Sequence, residues 1–228
     1  MTATTRLADL ASPQLAEPRR IVAVPLGSCE QHGAHLPLGT DTIVATTLAD
    51  RLAAARPGVV VAPPIGISAS GEHAGFAGTL SIGTGTTANL LVEIARSASW
   101  AGGIVIVNGH GGNAEAVARA VDTIRREGRN VLAWSPQIPD GDAHAGRTET
   151  SLLLAIEPGL VDLRSARPGV VRPLNEIAPD LRRHGMLAVS PSGVLGDPTG
   201  ATLEEGRDLL DTLTGDLVAA VDDARITW

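Results

Sequence analysis

Residues 21–55, IVAVPLGSCEQHGAHLPLGTDTIVATTLADRLAAA, contain the pattern on which the fold turns. Six apolar residues, IVAVPL, run without polar alternation, which is the pattern of a strand buried on both faces. DTIVATTLADRLAAA closes the stretch with helical periodicity and opens on Asp41, a residue that can cap a helix N-terminus. The same order recurs along the chain. VVVAPPI (59–65), IVIVN (104–108) and VLAW (131–134) read as further buried strands, and helices are expected from Thr86 and from Asn113, each opening on a capping residue. Alternating strands and helices predict an α/β fold, a three-layer α/β/α sandwich with a mainly parallel sheet. TETSLLLAIEP (148–158) predicts another helix. Residues 159–198, richer in Pro and Gly, read as loops and short elements, and an amphipathic helix closes the chain.

Composition narrows the function. With 43% hydrophobic and 19% charged residues, the chain is expected to form one domain over residues 1–228 with an aliphatic core, since aromatics are only 2%. A formal charge of -7 and no Lys/Arg run argue against nucleic acid and anionic membranes as partners. No stretch has the apolar length of a signal peptide or a membrane span, and a single cysteine excludes an internal disulfide, so a cytoplasmic protein is expected.

Ligands of open parallel sheets gather beyond the carboxyl ends of the strands. GSCEQHGAHLPLGTD (27–41) follows the first strand there, NGHGGN places His110 just after another, and DAHAGRTETS puts His144 and Glu149 on the approach to a helix. The three clusters can meet at one rim. Glu30, His32, Asp41, His110 and Glu149 offer the imidazole nitrogen and carboxylate oxygen that suit Zn²⁺, Mn²⁺ or Fe²⁺. One catalytic zinc needs three protein ligands, and a carboxylate can bridge two ions, so two divalent ions are expected, activating water for amide hydrolysis. Glu72, His73 and Trp134 are candidates for the substrate pocket, while His35 fits a loop-stabilising hydrogen bond as well as it fits ligation. His184 reads as solvated surface.

Together GSCEQHGAHLPLGTD, NGHGGN and HAGRTETS resemble the creatininase (creatinine amidohydrolase) family, in the family's order over residues 27–151. The resemblance implies that Glu30, Asp41 and His110 hold one ion and His32, Asp41 and Glu149 the other, with Asp41 bridging. It implies that His144 transfers protons, and that the fold is creatininase-like and assembles into homo-oligomeric rings, hexamers or octamers. GEHAGFAGTLSIG (71–83) and SPSGVLGDPTGAT (190–202) look like the peptidase branch of the family that belongs to mycofactocin biosynthesis. For that branch the implied substrate is a modified precursor peptide, from which a Val-Tyr-derived C-terminal unit is released. Gly111 and Gly112 depart from the creatinine-hydrolysing branch, and are expected to leave room beside the ions for a peptide. The alternatives are an amidohydrolase acting on a small cyclic amide or formamide, a hydrolase using Cys29 as nucleophile, and a noncatalytic metal-binding protein.

Overall fold

In the computed structural model, residues 5–16, 20–139 and 141–224 are described. The strand expected from the opening stretch, β1 (Ile21–Leu26), is buried at all six positions. It pairs in parallel with β2 (Val59–Val61) on one side and β3 (Gly103–Asn108) on the other, and β3 pairs in parallel with β4 (Val131–Trp134). The order across the sheet is β2-β1-β3-β4. β2 is shorter than the sequence suggested, because Pro63 and Pro64 have no N–H to continue a ladder.

Side chains alternate between two cores, as the pleat requires. Ile21, Ala23, Val59, Val61, Val105 and Val107 point into a core closed by α1 (Thr40–Ala55), α4 (Arg147–Ile156) and α7 (Leu203–Asp223). Val22, Val24, Val60, Ile104 and Ile106 point the other way, onto α2 (Gly83–Ser97) and α3 (Ala114–Arg126). Burial on both faces explains the unbroken apolar runs, and the expected three layers are present.

Three local expectations are corrected. α2 begins at Gly83 rather than Thr86, without a side-chain cap. Asn113 sits at the N-cap position of α3 but makes no capping bond, for its amide is spent on the loops described below. Residues 159–198 contain more helix than expected: α5 (Leu174–His184), with Pro179 inside it, and α6 (Met186–Val189). Ile177 of α5 and Met186 of α6 share a small core with Leu195 and Phe76, apart from the two large ones.

Candidate metal centre and adjoining cavity

The loops beyond β1 and β3 are held by two asparagines. Asn113 accepts from the Ala69 N–H at 3.1 Å and donates to Gly27 O at 3.1 Å and Asn108 Oδ1 at 3.2 Å. Asn108 donates to His110 O at 2.9 Å and to Ser135 Oγ, beyond β4, at 3.1 Å. Segments from beyond all four strands are thereby tied together. The close approach depends on glycine at position 109, where a Cβ would lie 2.5 Å from Asp41 O.

On this platform the five expected ligands meet. Asp41, in the first turn of α1, divides its carboxylate: Oδ1 lies 3.1 Å from His32 Nε2 and Oδ2 3.1 Å from His110 Nδ1. Ser28 Oγ donates to Oδ2 at 2.6 Å. Glu149 Oε2 lies 3.8 Å from His32 Nε2 and accepts from the N–H of Ala145, a buried residue held at φ 51°. Glu30 is fully buried, with Oε2 3.2 Å from His110 Nε2 and Oε1 3.3 Å from His73 Nε2, yet neither oxygen has a hydrogen-bond partner among the described residues. Two of the groupings able to hold an ion are Glu30 with Asp41 and His110, and His32 with Glu149 and His144.

Hydrogen bonds assign the imidazole protons. His32 Nδ1 donates to Glu30 O at 3.1 Å, so a neutral ring turns the lone pair of Nε2 towards Asp41 and Glu149. Three lone pairs then converge, a place that a cation satisfies, or a proton on Nε2 in its absence. His144 Nε2 donates to Gln31 O at 2.8 Å, leaving the Nδ1 lone pair 3.7 Å from Glu30 Oε1. Gln31 Oε1 accepts from Gly33 N at 2.9 Å, which orients its amide to donate to His73 Nδ1 at 3.0 Å; His73 Nε2–H consequently faces Glu30.

The electrostatics are those of crowded, desolvated acids. Burial pushes the Glu30 carboxyl up to about 8 and Glu149 up to about 7. Burial opposes the charged form of Asp41, but His32 and His110 outweigh it and hold that carboxyl well below its usual range. Burial likewise works against a charged His32, and Asp41 with Glu149 outweighs it, raising the imidazole to about 9. His144 goes the other way: burial, with His32 and His73 beside it, keeps it well below the usual histidine range.

Five of the six histidines lie at or beside the cluster. His73 is buried inside it, its ring centroid 4.6 Å from that of His144. His35 bonds Thr150 Oγ1 at 3.0 Å through Nε2, a loop-stabilising role. His184 is exposed, as expected. Cys29 Sγ faces Gly78 O at 3.6 Å rather than an imidazole. Gln31 was not singled out from the sequence, although it sits between Glu30 and His32, where a buried amide can serve two loops at once.

A cavity of about 460 Å³ opens on Asp41, His110 and Glu149. Its walls come from the loop beyond β3, residues 135–138 beyond β4, the start of α4 and Leu174 of α5. Glu72, His73 and Trp134 do not line it. Glu72 Oε1 lies 3.5 Å from His110 Nε2, and Trp134 packs against the core under α1, α4 and α7. The expectation of open room at both glycines holds only at Gly111, which lines the cavity with nothing near its missing Cβ. At Gly112 a Cβ would lie 2.0 Å from Glu72 Oε1, so that space is filled by a carboxylate.

Comparison with known proteins agrees with this geometry. A family model described as creatininase, creatinine amidohydrolase, matches residues 8–221. The chain is 50% identical over 220 residues to the mycofactocin precursor peptide peptidase of Mycobacterium ulcerans (strain Agy99), covering 92% of this chain and 88% of that protein. It is 52% identical over 202 residues to the protein of the same name from Mycolicibacterium smegmatis (strain ATCC 700084 / mc(2)155), covering 86% and 81%. A solved mutant creatininase of Zn-Zn type superposes with a TM-score of 0.79 at 25% identity, over 96% of this chain and 98% of the other.

Proposed function

The chain belongs to the creatininase family, and from that premise we propose that it is a metal-dependent peptidase acting on the mycofactocin precursor peptide, from which it releases the modified C-terminal Val-Tyr-derived unit. Relatives 50% and 52% identical bear the name of that activity. Within the chain, the observation that carries a metal-dependent reaction is Glu30. A fully buried carboxyl with imidazole nitrogens 3.2 and 3.3 Å away but no well-aligned hydrogen bond to either oxygen is costly to charge unless a cation satisfies it.

Glu30, Asp41 and His110 would hold one divalent ion and His32, Asp41 and Glu149 a second; zinc, iron and manganese all suit these donors. Bound there, two such ions lower the pKa of a water and polarise an amide carbonyl.

The chain's own groups do the rest. Ser28 Oγ–H fixes Asp41, and Glu30 O fixes the tautomer of His32. His144, with Nε2–H committed to Gln31 O, has Nδ1 free to accept a proton and pass it to the departing amine nitrogen. Its burial keeps the resting imidazole neutral, so Nδ1 enters the reaction as a base. A second role, as ligand, draws on the grouping of His144 with His32 and Glu149.

Hexameric or octameric rings and a cytoplasmic location complete the proposal; no described helix is long and apolar enough to cross a membrane. The test is mass spectrometry of products after the metal-loaded protein meets modified precursor peptide, unmodified peptide and creatinine. Cleavage of the modified peptide alone is expected. Hydrolysis of creatinine with the peptide left intact would replace this function by small-amide hydrolysis.

A further inference from the structure

One grouping spaced to hold an ion lies outside the two proposed sites: Glu30 with His73 and His144. His73 is buried, and the reaction described above makes no use of it. It enters the cluster from the 3₁₀ turn Gly71–His73, with Nδ1 3.0 Å from Gln31 Nε2 and Nε2 3.3 Å from Glu30 Oε1.

Hydrogen positions decide whether such a ring is a ligand or a donor. Gln31 Oε1 accepts from Gly33 N–H at 2.9 Å, so the amide nitrogen has two hydrogens to place, and two acceptors stand 3.0 Å away, His73 Nδ1 and Gly193 O. Turning the amide over would lose all three bonds. Gly193 makes the arrangement possible: it has φ 74°, and a Cβ there would lie 1.8 Å from Gln31 Oε1. Nδ1 of His73 therefore carries the lone pair and Nε2 the proton. A protonated nitrogen cannot ligate, so the third grouping is not a third metal site.

The proton faces a carboxylate that has few other donors. His110 Nε2, 3.2 Å from Glu30 Oε2, has Ala69 O as its acceptor at 3.0 Å. His144, its Nε2–H given to Gln31 O, turns a lone pair towards Oε1 at 3.7 Å. Ser70 stands beside Glu30 too, but its Oγ has no well-aligned partner. Of the three imidazoles at Glu30, only His73 has an N–H to spare for it. Carboxylates that ligate metals are themselves held by hydrogen bonds, which fix their orientation.

We infer that His73 is a positioning residue of the metal centre: with its tautomer set by Gln31, it donates Nε2–H to Glu30 Oε1, so that Glu30 presents Oε2 to the ion, and it binds no metal itself. This rests on the metal-dependent reading above.

Zinc titration against a chromophoric chelator counts the ions and gives the affinity of each without reference to turnover. The wild type is expected to take up two. His73→Leu should weaken one of them roughly 10- to 100-fold and leave the other near its wild-type value. His73→Gln, whose amide can donate in place of the imidazole, should recover most of the loss. His73→Asn, whose amide is too short to reach Glu30, is the donor-free variant to use if His73→Leu does not fold. ¹⁵N spectra of the histidine-labelled, zinc-loaded protein read the tautomer: the resonances that disappear in His73→Gln should belong to a ring protonated on Nε2 with a bare Nδ1. Unchanged affinities in the donor-free variants, equal weakening of both ions, no recovery in His73→Gln, or a His73 ring protonated on Nδ1 overturns the assignment. A third ion that is lost with His73 makes it a ligand instead. A wild type that takes up no zinc removes the metal-dependent reading itself, whereas two ions together with any of the overturning results remove only the role of His73.

Discussion

At the scale of single residues, the site depends on where each lone pair points. Asp41 places one oxygen 3.1 Å from His32 and the other 3.1 Å from His110, so Asp41→Ala is expected to leave at most one ion bound and little turnover. Elemental analysis of the folded variant checks this, and two retained ions would remove Asp41 as the bridge. His144 offers Nδ1 to the cluster, and His144→Ala should keep both metals while kcat falls roughly 10²-fold or more. Metal content and turnover on one preparation decide between this and ligation, in which case metal is lost as well. Gly112 is required by its neighbours. The Cβ of Gly112→Ala would press on Glu72 Oε1, on His110 Nε2 at 2.3 Å and on Ala69 O at 2.9 Å, costing about 1 to 3 kcal/mol of overpacking and displacing His110. Reduced metal affinity with a lowered denaturation midpoint is the expected result. His32, Asp41, His110 and Glu149 stood out in the sequence because ligand-type residues there follow strands or precede a helix. Gln31 and the inward turn of His73 did not, because nothing in a residue's type says which way a loop will face it.

At the scale of elements, the loops beyond the strands are stitched to one another rather than left to the strands alone. Asn113 joins the segments following β1, β2 and β3 through Gly27 O, Ala69 N–H and Asn108 Oδ1. Asn113→Ala leaves the buried Ala69 N–H unpaired, at about 1 to 3 kcal/mol, while Gly27 O keeps the Ser68 hydroxyl, and should lower both stability and metal affinity, whereas the loss of an ordinary N-cap would touch only α3. Urea unfolding and metal titration of the variant measure the two effects. β1, β3 and β4 were legible within a residue because burial on both faces leaves an unmistakable apolar run. α5 was not legible, since Pro179 and an exposed polar face hide a helix that buries little beyond Ile177 in its own small core.

At the scale of the whole molecule, the fold concentrates buried acids and imidazoles where the three layers meet the strand ends, and metal binding there should be part of its stability. Each ion at about a hundred times its Kd adds roughly 2.7 kcal/mol to a folded state that alone binds it, which for a chain of this size raises Tm by about 5 to 11 °C per ion. Chelation should therefore lower Tm by that order and abolish turnover, and added divalent metal should restore both, with Cys29→Ser behaving as the wild type throughout. Calorimetry with and without chelator checks it; turnover that survives chelation but not Cys29→Ser would favour a thiol mechanism. By itself the sequence determined the layered α/β architecture and pointed to the strand ends and donor types of the candidate site, because burial periodicity and ligand type are local properties of the chain. Only the tertiary structure decided that Glu30 is buried without a well-aligned hydrogen bond, that Glu72 fills the space beside Gly112, and that the described lining of the adjoining cavity contains three acids and a histidine but no lysine or arginine. Those facts depend on which side chains from distant segments share one small volume, and that is set by packing between layers rather than by any stretch of residues.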